Sequence, residues 1–160
     1  MTASLDISVS GLDQAMRTAD ALASIQMVEI ADAIGALGVR QTQRRIVSEK
    51  TAPGGSAWKQ NLRGGSILFY RGALAGSIAH RATASSASWG STLVYAAIHN
   101  RGGTIKAKNT KALRFPLRGR QDVHIVKSVS MPKREYLGIS SANGTEMEQM
   151  VLTLIKGKLP

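Results

Sequence analysis

With 160 residues, 43% of them hydrophobic, the chain is long enough for a single domain over residues 1–160 to hold a core without metal or disulfide support. It contains no cysteine, which excludes disulfide frameworks, thiolate catalysis and cysteine metal sites. Its net charge of +11 is segregated: residues 1–35 carry one Arg against five acids, residues 36–135 carry 18 Lys/Arg against three acids, and the last 25 residues balance to zero.

A basic middle suits DNA phosphates, anionic lipid or an acidic protein surface, and equally serves plain solubility. No apolar run approaches the ~18 residues of a membrane span, and the start Met1-Thr2-Ala3-Ser4-Leu5-Asp6 lacks the basic opening of a signal peptide. The expectation is a soluble product of a reducing cytosol, with no membrane contact.

Alternation of Leu5, Ile7 and Val9 with Asp6 and Ser8 predicts a short strand. Ser10 then offers a helix cap with Asp13 three residues on, and Leu12, Met16, Ala19 and Ala23 fall on one helical face. A second helix is expected to run to about Ser48, with Met27, Ile30, Ile34 and Leu37 as its apolar stripe. Arg40, Arg44 and Arg45 suit its C-terminal end. Gly35 and Gly38 each cost a helix about 1 kcal/mol relative to Ala. They share a face with Ala31, so either another element approaches closely there or the helix breaks.

Residues 49–66 lose all periodicity around Pro53-Gly54-Gly55 and Gly64-Gly65, and predict a long mobile loop. Gly72-Ala73-Leu74 reads as a helical turn leading into a strand from Ser77 to about Thr83, with residues 87–91 as the returning strand of a hairpin. Residues 93–100 predict a short helix stopped by Gly102 and Gly103, then a strand at 103–107. A basic loop near 104–122 precedes and enters a further hairpin, from Leu113–Leu117 to Val123–Met131, with Gly119 near its turn. Thr145 and Glu148 predict a capping box for a C-terminal helix whose buried face is Met147, Met150, Val151 and Leu154. The order is α+β: N-terminal strand and helices, a central antiparallel β-sheet, and a C-terminal helix.

Four short segments in this order carry a resemblance: Pro53-Gly54 with Trp58 to Leu62; Gly72 to Ile78, including Leu74 and Ser77; Tyr95-Ala96-Ala97-Ile98-His99-Asn100-Arg101-Gly102-Gly103; and Met131-Pro132-Lys133-Arg134-Glu135-Tyr136-Leu137-Gly138-Ile139-Ser140. Together they resemble the phage virion morphogenesis family, whose members are tail-completion, minor tail or head–tail joining proteins, over about residues 40–155. The chain departs from the family pattern near Arg101, where Phe is common, and near Glu135, where Pro is. The resemblance implies a structural protein rather than an enzyme, with no cofactor, added late in assembly at the head-proximal end of the tail or at the neck. It implies tail tube or terminator subunits and neck proteins as partners, several copies around the tail axis, and packaged DNA passing nearby. The chain would then reside in the host cytoplasm during assembly and in the virion afterwards.

Individual residues are weighed against that background. A catalytic His99 needs a nucleophile or an orienting carboxylate, and the nearest acids in sequence are Glu49 and Asp122, so a ring hydrogen-bonded to backbone at a helix end is expected instead. Three histidines without cysteine give poor support for zinc. Gly102 and Gly103 read as a tight turn needing positive φ rather than a phosphate cradle. Trp58 is either an exposed anchor or a lid on the core. Arg134, beside Pro132, is an interface candidate, whereas Tyr136 and Leu137 read as core plugs. Lys106, Lys108, Lys111, Arg114, Arg118 and Arg120, with only Phe115 interleaved, form the other interface candidate. They would meet an acidic neighbouring subunit or make sequence-blind phosphate contacts, and charge alone leaves a small nonspecific DNA-binding protein as the alternative function.

Overall fold

The helix expected to end near Ser48 is the spine of the molecule. The computed structural model describes residues 11–61, 64–108, 110–116 and 123–159. The strand expected at 5–9 lies outside the described residues, as do Ser10, Leu62, Leu117, Arg118, Gly119 and Arg120.

Helix α1 (Leu12–Ala23) starts from Gly11, which takes the cap position with φ 87° in place of the expected Ser10, and none of its residues is buried. After a break at residues 24–26 the chain turns by 59° into α2 (Met27–Arg44), which continues into a π-helical turn, Arg45–Glu49. Among the described residues no single helix is long and apolar enough to cross a membrane.

The expected close approach along α2 occurs, and the helix does not break. A short helix α3 (Ala73–Gly76) leads into the hairpin β1 (Ile78–Ala82) and β2 (Ala87–Ser91), which pair from Ile78 opposite Ser91 to Ala82 opposite Ala87. This hairpin lies on the face of α2 that carries Ala31, Gly35, Gly38 and Thr42, all buried. An added Cβ on Gly35 would stand 2.6 Å from the His80 ring, and one on Gly38 2.6 Å from the Trp89 indole. The indole is held in turn by its N–H donating to Thr42 Oγ1 at 3.1 Å. The deepest stripe of α2 is therefore its small and polar one; of the expected apolar stripe Leu37 is buried, while Met27 stays 58% exposed and Ile30 and Ile34 are half-buried.

These distances oppose helix propensity and decide a sign. Gly38→Ala gains about 1 kcal/mol of propensity but forces the pinned indole aside, an overpacking cost of roughly 1–3 kcal/mol. Net destabilisation by about 1 kcal/mol is expected. Gly144→Ala, whose Cβ meets nothing nearer than Ile139 Cγ2 at 4.0 Å, should stabilise by up to about 1 kcal/mol. Urea unfolding of the two variants checks the opposite signs.

Helix α4 (Ala96–Arg101) ends at Gly102, where φ is 72° and an added Cβ would stand 2.7 Å from the backbone nitrogen of Lys133. The positive-φ turn expected at this glycine is thus enforced by the backbone that follows Met131. From it run β3 (Gly103–Lys106), β4 (Leu113–Pro116), β5 (Val123–Val126) and β6 (Ser128–Met131). β3 pairs with β6 and β4 with β5, both antiparallel. The antiparallel strands thus form three two-stranded ladders rather than one sheet.

The C-terminal helix α5 (Ser141–Lys156) begins earlier than expected. Ser140 and Asn143, not Thr145 and Glu148, form its capping box, each side chain bonding the other's backbone N–H. Thr145 Oγ1 donates back to Ser141 O within the helix, so it cannot cap. α5 packs on α2, tied by Gln41 and Arg44 to Glu146.

Candidate functional site

The four segments that carry the family resemblance converge on one small core. Trp58, Leu74, Ala75, Ile78, Ala96 and Tyr136 come from those segments and pack with Ile46 and Ile67. Leu137 and Val39 pack against the rim of this cluster. Gly72 caps α3, and the Ser77 hydroxyl donates to Leu74 O and meets Ser91 Oγ at 2.7 Å.

Around that core, residues 132–139 form a strap held from three sides. From α4, Asn100 Oδ1 accepts from the N–H groups of Tyr136 and Leu137 at 2.9 and 3.1 Å, and His99 O accepts from Arg134 N. The Tyr136 hydroxyl donates to Ala96 O at 3.0 Å, and burial raises its pKa, with a further push from Tyr95. From the loop, the Trp58 indole N–H donates to Glu135 O at 3.2 Å. From the π-helical turn, Arg45 donates to Tyr136 O, Gly138 O and Asn143 Oδ1 at 2.9, 3.0 and 2.5 Å.

Two interface candidates are thereby corrected. Arg134 is 3% exposed, and its guanidinium donates to Lys59 O and Gln60 O at 2.8 and 3.0 Å, so it fastens the loop to the strap and offers nothing to a partner. Trp58 is 6% exposed and is the lid, not the exposed anchor. The described part of loop 49–66 is also tied down, by the Thr51–Ala57 bridge and by Trp58 N donating to Lys50 O. Pro132 is half-buried at the start of the strap.

Arg45, read from sequence as a surface charge at a helix end, is 2% exposed, and burial lowers its pKa. Sequence reasoning missed it, along with Asn100 and Asn143. The available signal was its spacing: it stands seven residues beyond Gly38 and three beyond Thr42, on the small and polar stripe of α2. Its neighbour Arg44 stays at the surface between Glu49 and Glu146.

His99 differs from expectation in one respect. Its ring meets Tyr95 edge-on at 5.9 Å between centroids, but Nδ1 is buried without a hydrogen-bond partner among the described residues. Burial, and secondarily the charge of Arg134, lower its pKa from the ordinary 6.5. The unfolded chain therefore takes up a proton near pH 6.5 that the folded chain refuses. Stability should fall as pH drops below 6.5, and His99→Gln should flatten that part of the curve. Urea midpoints at about pH 7.5 and about pH 5.5 give the comparison. No group of three His, Asp or Glu side chains positioned to hold a metal occurs among the described residues.

The outward-facing chemistry lies elsewhere. β5 and β6 are interrupted only at Lys127, whereas β3 and β4 on the opposite side are separated by residues 107–112, a bulge in the pairing. Ala107 N still donates to Lys127 O, so the two ladders follow one another as a ribbon. Nine residues from Val123 to Met131 reach ~30 Å at ~3.3 Å each. The β4–β5 part packs substantially on no helix. Lys106, Lys108, Lys111 and Arg114 are all exposed on the ribbon or its bulge. Arg114 sits opposite Ile125 in the ladder, and Ile125 and Val123 are 58% and 45% exposed. Gly103 opens this ribbon opposite Met131. The structure thus brings the cations together on an arm and separates them from the buried strap.

The model of the phage virion morphogenesis family matches residues 7–156. No individual curated protein and no solved structure matches the chain. A match over nearly the whole length establishes that the chain belongs to the phage virion morphogenesis family.

Proposed function

We propose that the chain completes the phage tail or forms the head–tail joint at the neck, acting by protein–protein docking in a ring of copies and without catalysis. The observation that carries this reading is the division of labour in the fold. Apart from His99 Nδ1, the buried polar groups of the four segments are bonded inside the fold, and the β4–β5 part of the ribbon packs substantially on no helix and carries exposed cations and apolar side chains. Buried, mutually satisfied donors make a rigid base, while an exposed apolar strand edged with charge is suited to pairing with another protein surface. Tail tube, terminator and neck subunits are the partners, met in the host cytoplasm before the chain enters the virion.

A second reading draws on the same arm. Lys106, Lys108, Lys111 and Arg114 could meet packaged DNA through phosphates, with affinity that falls steeply as salt rises.

The test of the main reading is complementation in a lysate. A phage lacking this gene should yield few infectious particles, and adding the purified chain to the finished lysate should restore them by joining parts already made. A normal titre without the gene would overturn it.

A further inference from the structure

Helix α1 is the least accounted-for part of the molecule. Leu12, Met16 and Leu22 are 55%, 57% and 48% exposed, although with Ala19 and Ala23 they make an apolar stripe. Asp13 and Asp20 are seven residues apart, two helical turns, and border the same side of that stripe. The ribbon shows the counterpart: Val123 and Ile125 exposed on one face with Arg114 beside them, and Lys106, Lys108 and Lys111 nearby. Residues 103–131 carry seven Lys/Arg against one acid, and residues 1–35 carry five acids against one Arg. Among the described residues of one copy, α1 and the ribbon share no substantial packing.

We propose that α1 of one copy docks on the ribbon of the next copy, its apolar stripe on Val123 and Ile125 and its carboxylates toward Arg114 and the neighbouring lysines. This rests on the ring of copies proposed above and names the joint within it. The two alternatives that use a single surface twice are disfavoured by charge. Pairing α1 with α1 brings Asp13 and Asp20 toward their own copies, and pairing ribbon with ribbon stacks cations, whereas the mixed pair opposes unlike charges. Unlike surfaces in contact give a head-to-tail arrangement, which closes into a ring when the rotation permits.

The dimensions also fix where the joint forms. A twelve-residue helix is ~18 Å long and ~10 Å across, so it covers less than the ~800 Å² per partner that a stable pair buries. Two free copies therefore associate weakly, and the joint holds when a tail presents several copies side by side.

The absence of native cysteine makes crosslinking clean. A chain carrying Met16→Cys and Ile125→Cys is supplied to an infection lacking the gene, and purified particles are oxidised and run without reductant. Dimers, trimers and higher multimers are expected from the double variant, and monomer only from each single variant. Dimers from Met16→Cys alone would mean that α1 pairs with α1, and would overturn the joint. So would a crosslink to a different virion protein, or monomer only. If the double variant is not built into particles, the purified chain is oxidised at about 1 mM, where a pair with a Kd near 1 mM is populated and the disulfide traps it, with multimers supporting the joint and monomer overturning it. Restored titre with monomer only removes the joint and leaves the tail reading intact. Multimers of the purified chain beside a normal titre without the gene do the reverse.

Discussion

Replacing Arg45 by methionine should destabilise the chain by about 3–5 kcal/mol, a drop of roughly 10 °C in Tm. Exchanging a buried ion pair for apolar residues is often neutral, because both charged partners go. Here the closest partners cannot go: two are the backbone carbonyls of Tyr136 and Gly138, and a third is Asn143, whose side chain completes the capping box of α5, with Glu49 a more distant fourth at 3.9 Å. Each buried acceptor left unmade costs about 1–3 kcal/mol, which exceeds what relief of the guanidinium's own desolvation returns. Arg44→Met is the control. Its side chain is 49% exposed and its ion pairs are at the surface, so it should cost less than about 1 kcal/mol. Thermal unfolding of the two variants followed by circular dichroism gives the comparison. A Tm for Arg45→Met as close to wild type as that of Arg44→Met would contradict the role given to the strap.

Reversing the four described cations of the arm should have the opposite profile. Lys106→Glu, Lys108→Glu, Lys111→Glu and Arg114→Glu combined should leave Tm nearly unchanged, because all four are exposed and the described part of the β4–β5 ladder packs substantially on no helix. Docking should weaken by about 3 kcal/mol, roughly a hundredfold in affinity, since each reversed charge turns attraction into repulsion. The readout is titre after complementation of the gene-deleted phage, with Tm measured on the same protein. A folded variant that complements fully would remove the arm from the docking surface. Binding of random DNA across a salt series separates the two readings of the arm. Weak wild-type binding at physiological salt is expected, and tight binding with a steep salt slope would favour DNA.

Local pattern was informative wherever the physics is local. The β1–β2 hairpin was legible as a strand following the Gly72-Ala73-Leu74 turn and a returning strand at 87–91, α4 from the Gly102 stop, and the approach along α2 from the Ala31, Gly35 and Gly38 spacing. The fold class followed from element order. Two kinds of feature were not legible. Competing caps stand five residues apart at the start of α5, and the Ser140–Asn143 pair prevails because Asn143 also meets Arg45, a contact 98 residues away in sequence. Arg45 and Arg134 look like surface cations because arginine usually is one, and what draws them inside is a set of carbonyls from distant segments. The burial of Arg134, and the bonds of Asn100 and Tyr136, make these polar residues of the four segments internal ties of the scaffold. The exposed arm, by contrast, was visible in the sequence as a run of cations, although its form as a bulged ribbon was not.

The most direct test of the central claim is negative-stain electron microscopy of lysates from a phage lacking this gene, beside lysates complemented with the wild-type chain. The account predicts filled heads accumulating apart from tails, or tails with ragged head-proximal ends, and joined particles on complementation. Intact, joined virions in the absence of the gene would contradict it.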